Sequence, residues 1–157
     1  MSETVLEIHL PNLRHNYTFI KKQLSATTKL LAVVKAFGYG SDAVEVAKCL
    51  VAQGVDYLGV AYVHEGVALR KAGIKTPILV LHPQQPNLAA LIEYKLEPSV
   101  YGQRILDALL DRLKESNESH YPIHLKFNTG LNRLGFDPNN ALELGALLKQ
   151  KIGRAHV

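Results

Sequence analysis

The sequence has few of the features that mark secreted, membrane or disulfide-rich proteins. Its 157 residues include one cysteine, one methionine and no tryptophan. A single cysteine excludes an internal disulfide framework and fits a reducing compartment. No stretch approaches the roughly 18 continuous apolar residues of a membrane span, and the polar start Met-Ser-Glu-Thr is unlike a signal peptide. We therefore expect a cytoplasmic protein with no membrane partner.

Clustered charge and paired metal ligands are also missing. The 18 lysines and arginines exceed the 14 acidic residues by only four and form no block. Without an aromatic-rich basic stripe, a nucleic-acid partner is not indicated, whereas an anionic small molecule suits the weak positive excess. The seven histidines are dispersed, with no pair at a ligand spacing such as H-E-x-x-H. The sequence therefore predicts no metal site.

What the sequence does contain is a regular alternation of two patterns from residue 29 onward. Short apolar runs predict strands at residues 30–34, 56–61, 77–81, 97–101 and 123–127. Longer amphipathic segments predict helices at about 41–53, 64–72, 87–94, 103–115 and 140–150. Upstream, residues 5–9 alternate like a half-exposed strand, and residues 12–24 have a helical apolar spacing.

Apolar strands that alternate with helices predict an α/β fold with a parallel sheet under helical cover. An open doubly wound sheet and a (β/α)8 barrel both fit this pattern. No G-x-G-x-x-G follows the first predicted strand, which weakens the dinucleotide-binding version. Five predicted strands are too few to close an eight-stranded barrel.

Lys35 is the first candidate for chemistry, in the segment LLAVVKAFGYGSD at residues 30–42. It ends an apolar strand, and strand ends of this kind face the active site in α/β barrels. Apolar surroundings favour the neutral amine, which is the nucleophile for a Schiff base with an aldehyde. The Gly-rich turn and the following helix can offer N–H groups to a phosphate. The alternative is a lysine that only extends its charge into solvent.

Residues 34–42, VKAFGYGSD, resemble the cofactor-lysine motif of alanine racemases, V-K-A-N-A-Y-G-H-G. The resemblance implies that Lys35 forms the Schiff base with pyridoxal 5'-phosphate (PLP) and that Tyr39 contacts the phosphate. The departures from the usual motif are Phe37, Gly38, Ser41 and Asp42. The spacing from the lysine to the tyrosine is unchanged.

Residues 124–136, HLKFNTGLNRLGF, resemble the same family's motif K-[VL]-D-T-G-M-x-R-L-G-F. Arg133 then matches an arginine that bonds the phenolic oxygen of PLP and the substrate carboxylate, a task suited to a planar guanidinium. Lys126 matches a position that is carbamylated in some members. Asn128 stands where Asp is usual, and Leu131 where Met is usual. Taken without the resemblance, Arg133 would be read as a surface cation.

A third and weaker match covers residues 58–70, where the family's Glu65 and Arg70 recur and are assigned to structure. The resemblance implies a fold-type III racemase barrel, incomplete here at about five β/α units. Residues 1–150 are then the N-terminal part of that barrel. Residues 151–157 are predicted to be a non-native tail, because the string IGRAHV resembles translated sequencing adapter.

The function implied is PLP-dependent racemisation of L-alanine and D-alanine, supplying D-alanine for cell-wall peptidoglycan. Relatives of this type act as homodimers, in which a tyrosine from the partner's later domain serves the opposite face. The 157-residue chain alone is therefore expected to be inactive and to bind PLP weakly. The alternatives are a non-catalytic, single-barrel PLP-binding protein of cofactor homeostasis and a structural α/β domain without cofactor. Serine and lysine stay open as substrates.

Overall fold

The computed structural model of the protein describes residues 4–152. In that part of the chain five strands form one parallel sheet in the order β1-β2-β3-β4-β5. The strands are β1 Leu31–Val33, β2 Tyr57–Val60, β3 Ile78–Val80, β4 Glu97–Val100 and β5 His124–Leu125. A doubly wound sheet reverses its strand order at a switch point. The sequential order here has no reversal, so the fold is an incomplete (β/α)8 barrel.

Helices connect these strands and precede the first one. They are α1 Leu10–Gln23, α2 Lys35–Tyr39, α3 Ala43–Ala52, α4 Val63–Lys71, α5 Leu88–Glu93, α6 Gln103–Glu115 and α7 Ala141–Ile152. Short 3-10 turns, Gln85–Asn87 and Pro138–Asn140, lead into α5 and α7. All five predicted β/α units are therefore present.

The two faces of the sheet differ in how well they are covered. Leu58 and Ile78, which pair across β2 and β3, are fully buried in the core with helix residues such as Leu106. A Cβ built on Gly59 would lie 3.0 Å from Leu31 and 3.4 Å from Val33, so these residues share the other face. Leu31 and Val33 remain well exposed. Successive residues of a strand point to opposite faces, so this second face is the open barrel interior.

The strand predicted at residues 5–9 is wrong. Residues 4–9 form no strand in the structure, and Val5 and Leu6 are largely exposed. Alternation of apolar and polar residues predicts two unlike faces, but a strand also needs a partner for its backbone N–H and C=O groups. In the described part of the chain no strand pairs with this segment. The following helix begins at Leu10, two residues earlier than predicted, with Pro11 in its first turn.

Two further predictions concern the carboxyl-terminal part of the chain. The strand predicted at residues 123–127 is shorter in the structure, because β5 holds only two residues before an isolated bridge joins Phe127 to Phe136. Of the tail predicted at residues 151–157, Lys151 and Ile152 continue the backbone of α7. Residues 153–157 lie outside the described part, so the tail stays a prediction.

Candidate functional site

Lys35 lies two residues after the last residue of β1 and is half-buried. The backbone hydrogen bonding between β1 and β2 continues one residue past β1, since the Val34 N–H donates to the Gly59 carbonyl at 2.8 Å. Val34 itself is almost fully buried. Because all five strands are parallel, their carboxyl ends share one edge of the sheet. Lys35 therefore occupies the edge at which α/β barrels place their active sites.

The five residues after Lys35 form a left-handed turn. Ala36, Phe37 and Gly38 have φ/ψ of 51/52°, 55/42° and 65/37°, and Tyr39 and Gly40 have φ of 56° and 88°. Backbone bonds from Gly38 to Val34 (3.1 Å) and from Gly40 to Ala36 (3.0 Å) close the turn. Left-handed conformation costs an L-residue about 1–2 kcal/mol, and strain of this kind gathers at functional sites. The sequence predicted a Gly-rich turn here but not its handedness.

Contacts with α3 fix the far end of this turn. A Cβ on Gly38 would lie 3.1 Å from the backbone nitrogen of Ala43, so only glycine fits there without displacement. Asp42 caps α3, its Oδ1 accepting from the N–H groups of Val44 at 2.9 Å and Glu45 at 3.1 Å. The turn thus passes directly into the start of the helix.

Glu65, in the first turn of α4, holds the near end of the same turn. Its Oε1 accepts from the Ala36 N–H at 2.6 Å, and its Oε2 accepts from the N–H groups of Ala61 at 2.7 Å and Tyr62 at 3.0 Å. The sequence assigned Glu65 to structure, through the resemblance alone. It missed the contact with Ala36, because no local pattern reveals a bond across 29 residues.

Arg133 lies exposed in the loop after β5. Asn128 organises this loop, since its Oδ1 accepts from the N–H groups of Asn132 (2.9 Å) and Gly130 (3.3 Å). The Asn128 amide also donates to Asn132 Oδ1 at 2.8 Å. Asn132 has a φ of 56°, a conformation that asparagine tolerates better than most residues. The arginine is thus presented by a loop that folds on its own side chains.

The loop returns to its strand at Gly135 and Phe136. The Phe136 N–H donates to the Lys126 carbonyl at 2.8 Å, and the Asn128 N–H donates to the Phe136 carbonyl at 2.9 Å. Gly135 has a φ of 133°, and a Cβ there would lie 2.5 Å from the Asn128 nitrogen. Glycine is therefore required at this position. Lys126 is half-buried, and its backbone N–H donates to the Val100 carbonyl.

The predicted site residues all lie at the carboxyl ends of the strands, but they follow the two outermost strands of the sheet, β1 and β5. Lys35 and Tyr39 occupy a single turn after β1, whereas Lys126 and Arg133 follow β5, with three strands between them. Over residues 4–152, none of these four side chains takes part in a hydrogen bond or ion pair. Tyr39 also lines an apolar groove of about 530 Å³ along β1, opposite Leu13 and Ile20 of α1.

Four aromatic rings form a row at the carboxyl ends of the strands, between the loop after β1 and the loop after β5. The ring of Tyr62 stacks on His64 at 5.8 Å, His82 meets Tyr62 edge-on at 5.7 Å, and His82 stacks on Tyr101 at 5.2 Å. The Tyr101 hydroxyl donates to the Pro83 carbonyl at 3.1 Å. Burial raises the pKa of Tyr101.

A polar cluster lies at the opposite, amino-terminal ends of the strands. His124 Nε2 lies 2.7 Å from Glu97 Oε2, and the Tyr57 hydroxyl donates to the same oxygen at 3.2 Å. Burial and the Glu97 carboxylate raise the pKa of Tyr57. His124 is thus a hydrogen-bonded residue at the start of β5. Within the described residues no group of three or more His, Cys, Asp or Glu is placed to hold a metal ion.

Arg70 is confirmed as structural by its contacts. Its guanidinium donates to four backbone carbonyls, those of Ile74, Thr76, Tyr94 and Lys95, at 2.7–3.1 Å. These carbonyls belong to the turns that follow α4 and α5. None of the helices within residues 4–152 has the length and apolar character that a membrane span requires.

Comparison with known proteins identifies one family. The family model described as alanine racemase, N-terminal domain, matches residues 8–156. Alanine racemase 2 of Clostridium acetobutylicum is 41% identical over 138 residues, covering 87% of this chain and 35% of that protein. The alanine racemase of Treponema denticola is 39% identical over 145 residues, covering 92% of this chain and 38% of that protein.

Solved structures give the same result. Alanine racemase from Clostridium difficile 630 superposes with a TM-score of 0.88 at 36% identity, covering 96% of this chain and 41% of that one. A Bacillus anthracis alanine racemase with bound L-Ala-P gives 0.81 at 28% identity, covering 94% and 38%. The chain thus spans about two fifths of the length of these relatives. Its sequence and its partial barrel show that it belongs to the alanine racemase family, through that family's N-terminal domain.

Proposed function

We propose that this chain forms the cofactor-lysine part of a PLP-dependent alanine racemase barrel. The observation that carries the proposal is the half-buried Lys35 at the carboxyl end of β1, on a strained turn that also bears Tyr39. The relatives named above are alanine racemases, and one of the solved structures holds L-Ala-P. Alanine is accordingly the substrate we propose for the complete enzyme.

The side chains at this edge of the sheet fit PLP chemically. PLP presents an aldehyde, a phenolic oxygen and a phosphate, and these require an amine, a cation and further hydrogen-bond donors. Lys35, Arg133 and Tyr39 supply those three functions, and none of their side chains is engaged by another group in the described part of the chain. When bound, PLP supplies an electron-accepting ring that stabilises negative charge at the Cα of an amino acid.

Each of these residues then has a distinct task. The Lys35 amine takes or returns the Cα proton on the face that leads to the D enantiomer. Arg133 binds the substrate carboxylate and the phenolic oxygen through its planar donors. Tyr39 donates to the phosphate. Lys126 stands at the position that is carbamylated in some relatives, where an added negative charge would orient Arg133.

Racemisation also needs a base on the opposite face of Cα. The resemblance assigns it to a tyrosine in a later domain of the partner subunit, which the five β/α units of residues 4–152 do not include. We therefore propose a homodimer for the complete enzyme and D-alanine supply to peptidoglycan as its use. Residues 1–150 are proposed as the first part of the barrel. The cytoplasmic location stays a prediction from the sequence.

Reductive trapping tests the lysine assignment directly. The 157-residue chain is mixed with excess PLP and treated with borohydride, and the pyridoxyl-modified lysines are mapped by mass spectrometry. We expect Lys35 to be modified in preference to Lys114, an exposed lysine on α6. The Lys35→Ala variant removes the preferred adduct, whereas Lys114→Ala leaves it. Equal modification of both lysines would contradict the assignment.

The same preparation tests the need for further domains. We expect no conversion of L-alanine to D-alanine by the 157-residue chain with PLP, because the resemblance assigns the opposite-face base to a later domain. Steady racemisation would show that the opposite-face base lies within this chain. Binding of PLP by Lys35 in a longer, naturally complete chain without any racemisation would instead favour the non-catalytic homeostasis protein.

A further inference from the structure

Glu65 belongs to the second β/α unit, yet one of its oxygens bonds the turn of the first. Oε1 accepts from Ala36, the residue after Lys35, while Oε2 accepts from Ala61 and Tyr62 in the loop that follows β2. One half-buried carboxylate therefore ties together two loops at the carboxyl ends of adjacent strands. The Ala36 contact, at 2.6 Å, is the shortest of the three.

The three partners of Glu65 are all donors, and this requires a carboxylate. An ionised carboxylate is acceptor-only at both oxygens, whereas a glutamine amide has one accepting oxygen and one donating nitrogen. In Glu65→Gln the side-chain NH2, a donor, would therefore lie against a backbone N–H donor on one side. It would keep either the Ala36 bond or the bonds to Ala61 and Tyr62. Charge assistance also makes the native bonds stronger than neutral ones.

The Ala36 N–H belongs to the peptide unit that joins it to Lys35. Because a peptide unit is planar, fixing this N–H also fixes the direction of the Lys35 carbonyl and the backbone at the Lys35 Cα. Ala36 itself has left-handed φ and ψ of 51° and 52°, which an alanine does not adopt without support from its surroundings. Glu65 provides that support from outside the turn.

We propose that Glu65 is a positioning residue for Lys35: its carboxylate locks the left-handed turn and so sets the direction in which the lysine amine is presented. The inference rests on the proposed function, because that function makes Lys35 the cofactor lysine. In the described part of the chain, Arg70 of the same helix bonds only carbonyls in the turns after α4 and α5, and therefore has no such role.

Two Glu65 variants and one control, all made in the 157-residue chain, test the length of the side chain at position 65, its charge and its number of accepting oxygens. Glu65→Gln keeps the length of the side chain but loses one accepting oxygen. Glu65→Asp keeps the charge near the start of α4 but is too short to bond Ala36 and the loop after β2 together. The matched control is Glu45→Gln, which removes a first-turn carboxylate of α3 whose side chain, among the described residues, pairs only with Lys48.

Two measurements are made on each variant. Amide hydrogen exchange by NMR reports the Ala36 N–H, and reductive trapping with PLP reports the ratio of adduct on Lys35 to adduct on Lys114. We expect both Glu65 variants to speed Ala36 exchange about tenfold, as loss of a charge-assisted bond predicts. In Glu65→Gln the one accepting oxygen goes to the side with two N–H donors, those of Ala61 and Tyr62, and the Ala36 bond is lost. The adduct ratio should fall about fivefold. Glu45→Gln should leave both values within about twofold of the unmodified chain.

The outcomes distinguish this inference from the proposed function. Unchanged Ala36 exchange and an unchanged adduct ratio in Glu65→Gln would overturn the positioning role, as would full rescue of both values by Glu65→Asp. If the variants do not fold, rapid Ala36 exchange in the unmodified chain overturns it, and slow exchange of this exposed residue supports it. Equal adducts on Lys35 and Lys114 in the unmodified chain defeat the proposed function, whereas Ala36 protection that depends on Glu65 still supports the contact.

Discussion

The loops after β1 and β5 are stabilised in different ways. Both carry a proposed PLP-binding residue, and both contain residues with positive φ. The turn after Lys35 is held from outside, by Glu65 of another β/α unit and by the backbone of Ala43. The loop that bears Arg133 is held by its own members, through Asn128 and the return of Phe136 to the strand.

This difference has a consequence for what each loop needs from the rest of the molecule. A loop stabilised by its own side chains keeps its shape wherever its strand forms. A strained turn stabilised by neighbouring units keeps its shape only when those units are packed correctly. We infer that the presentation of Lys35 depends on correct assembly of β1, β2 and α4, whereas the presentation of Arg133 depends mainly on residues 126–136.

The largest expected effect tests the self-contained loop. Gly135→Ala would place a Cβ 2.5 Å from the Asn128 nitrogen and 2.6 Å from the Phe127 carbonyl carbon. We expect it to lower the free energy of unfolding by about 3 kcal/mol or more, through strain and overlap combined. Chemical denaturation followed by circular dichroism measures this change.

Gly130→Ala is the matched control for that substitution. Gly130 has almost the same φ, 132° against 133°, but no heavy atom lies within 4 Å of its ideal Cβ. Its replacement should therefore cost only the conformational part, about 1–2 kcal/mol. Equal losses in the two variants would show that backbone strain alone, and not the close approach to Asn128, governs the loop.

Much of the fold could be predicted from the sequence, because periodicity reports burial directly. The helix at residues 103–115 has the predicted bounds, and its apolar spacing corresponds to buried Ile105, Leu106, Leu109 and Leu113. Every predicted strand from residue 30 onward contains an observed strand. Residues 5–9 were predicted wrongly, since alternation carries no information on whether a pairing partner exists.

Of the candidate site, the sequence predicted the residues that lie in its motifs but not the contacts between them and the rest of the chain. Lys35 was found from its place at the end of an apolar strand and from its motif, whereas Arg133 was found only through the resemblance, and their roles remain proposals. The bond between Glu65 and Ala36 joins residues 29 positions apart, so no local pattern contains it. The need for glycine at position 135 depends on a close approach of Asn128 that forms only after the loop closes. Tertiary contacts of this kind cannot be read from composition or spacing.

A smaller effect tests the turn that is held from outside. Gly38→Ala would bring a Cβ to 3.1 Å from the Ala43 nitrogen, at a φ of 65°. We expect a loss of about 2 kcal/mol in the free energy of unfolding, together with a lower share of PLP adduct on Lys35. Gly40→Ala, with φ of 88° and no neighbour within 4 Å, should lose about 1 kcal/mol. If Gly40→Ala lost as much as Gly38→Ala, contact with α3 would not be what holds the turn.

The smallest expected effect concerns Asn128, where the family usually has aspartate. In Asn128→Asp a carboxylate oxygen can still accept from the N–H groups of Gly130 and Asn132, so only the donation to Asn132 Oδ1 is lost. Rotation of the Asn132 amide can turn its NH2 toward the new carboxylate and restore that bond. We therefore expect a change in the free energy of unfolding of about 0.5 kcal/mol or less.

Asn128→Ala supplies the contrast, because it removes all three contacts and should cost about 1–2 kcal/mol. Thermal unfolding of both variants beside the unmodified chain measures the two changes. If Asn128→Asp were as damaging as Asn128→Ala, the amide donation to Asn132 would be the contact that shapes the loop. The local acceptance of backbone N–H groups, which aspartate and asparagine share, would then not be enough to present Arg133.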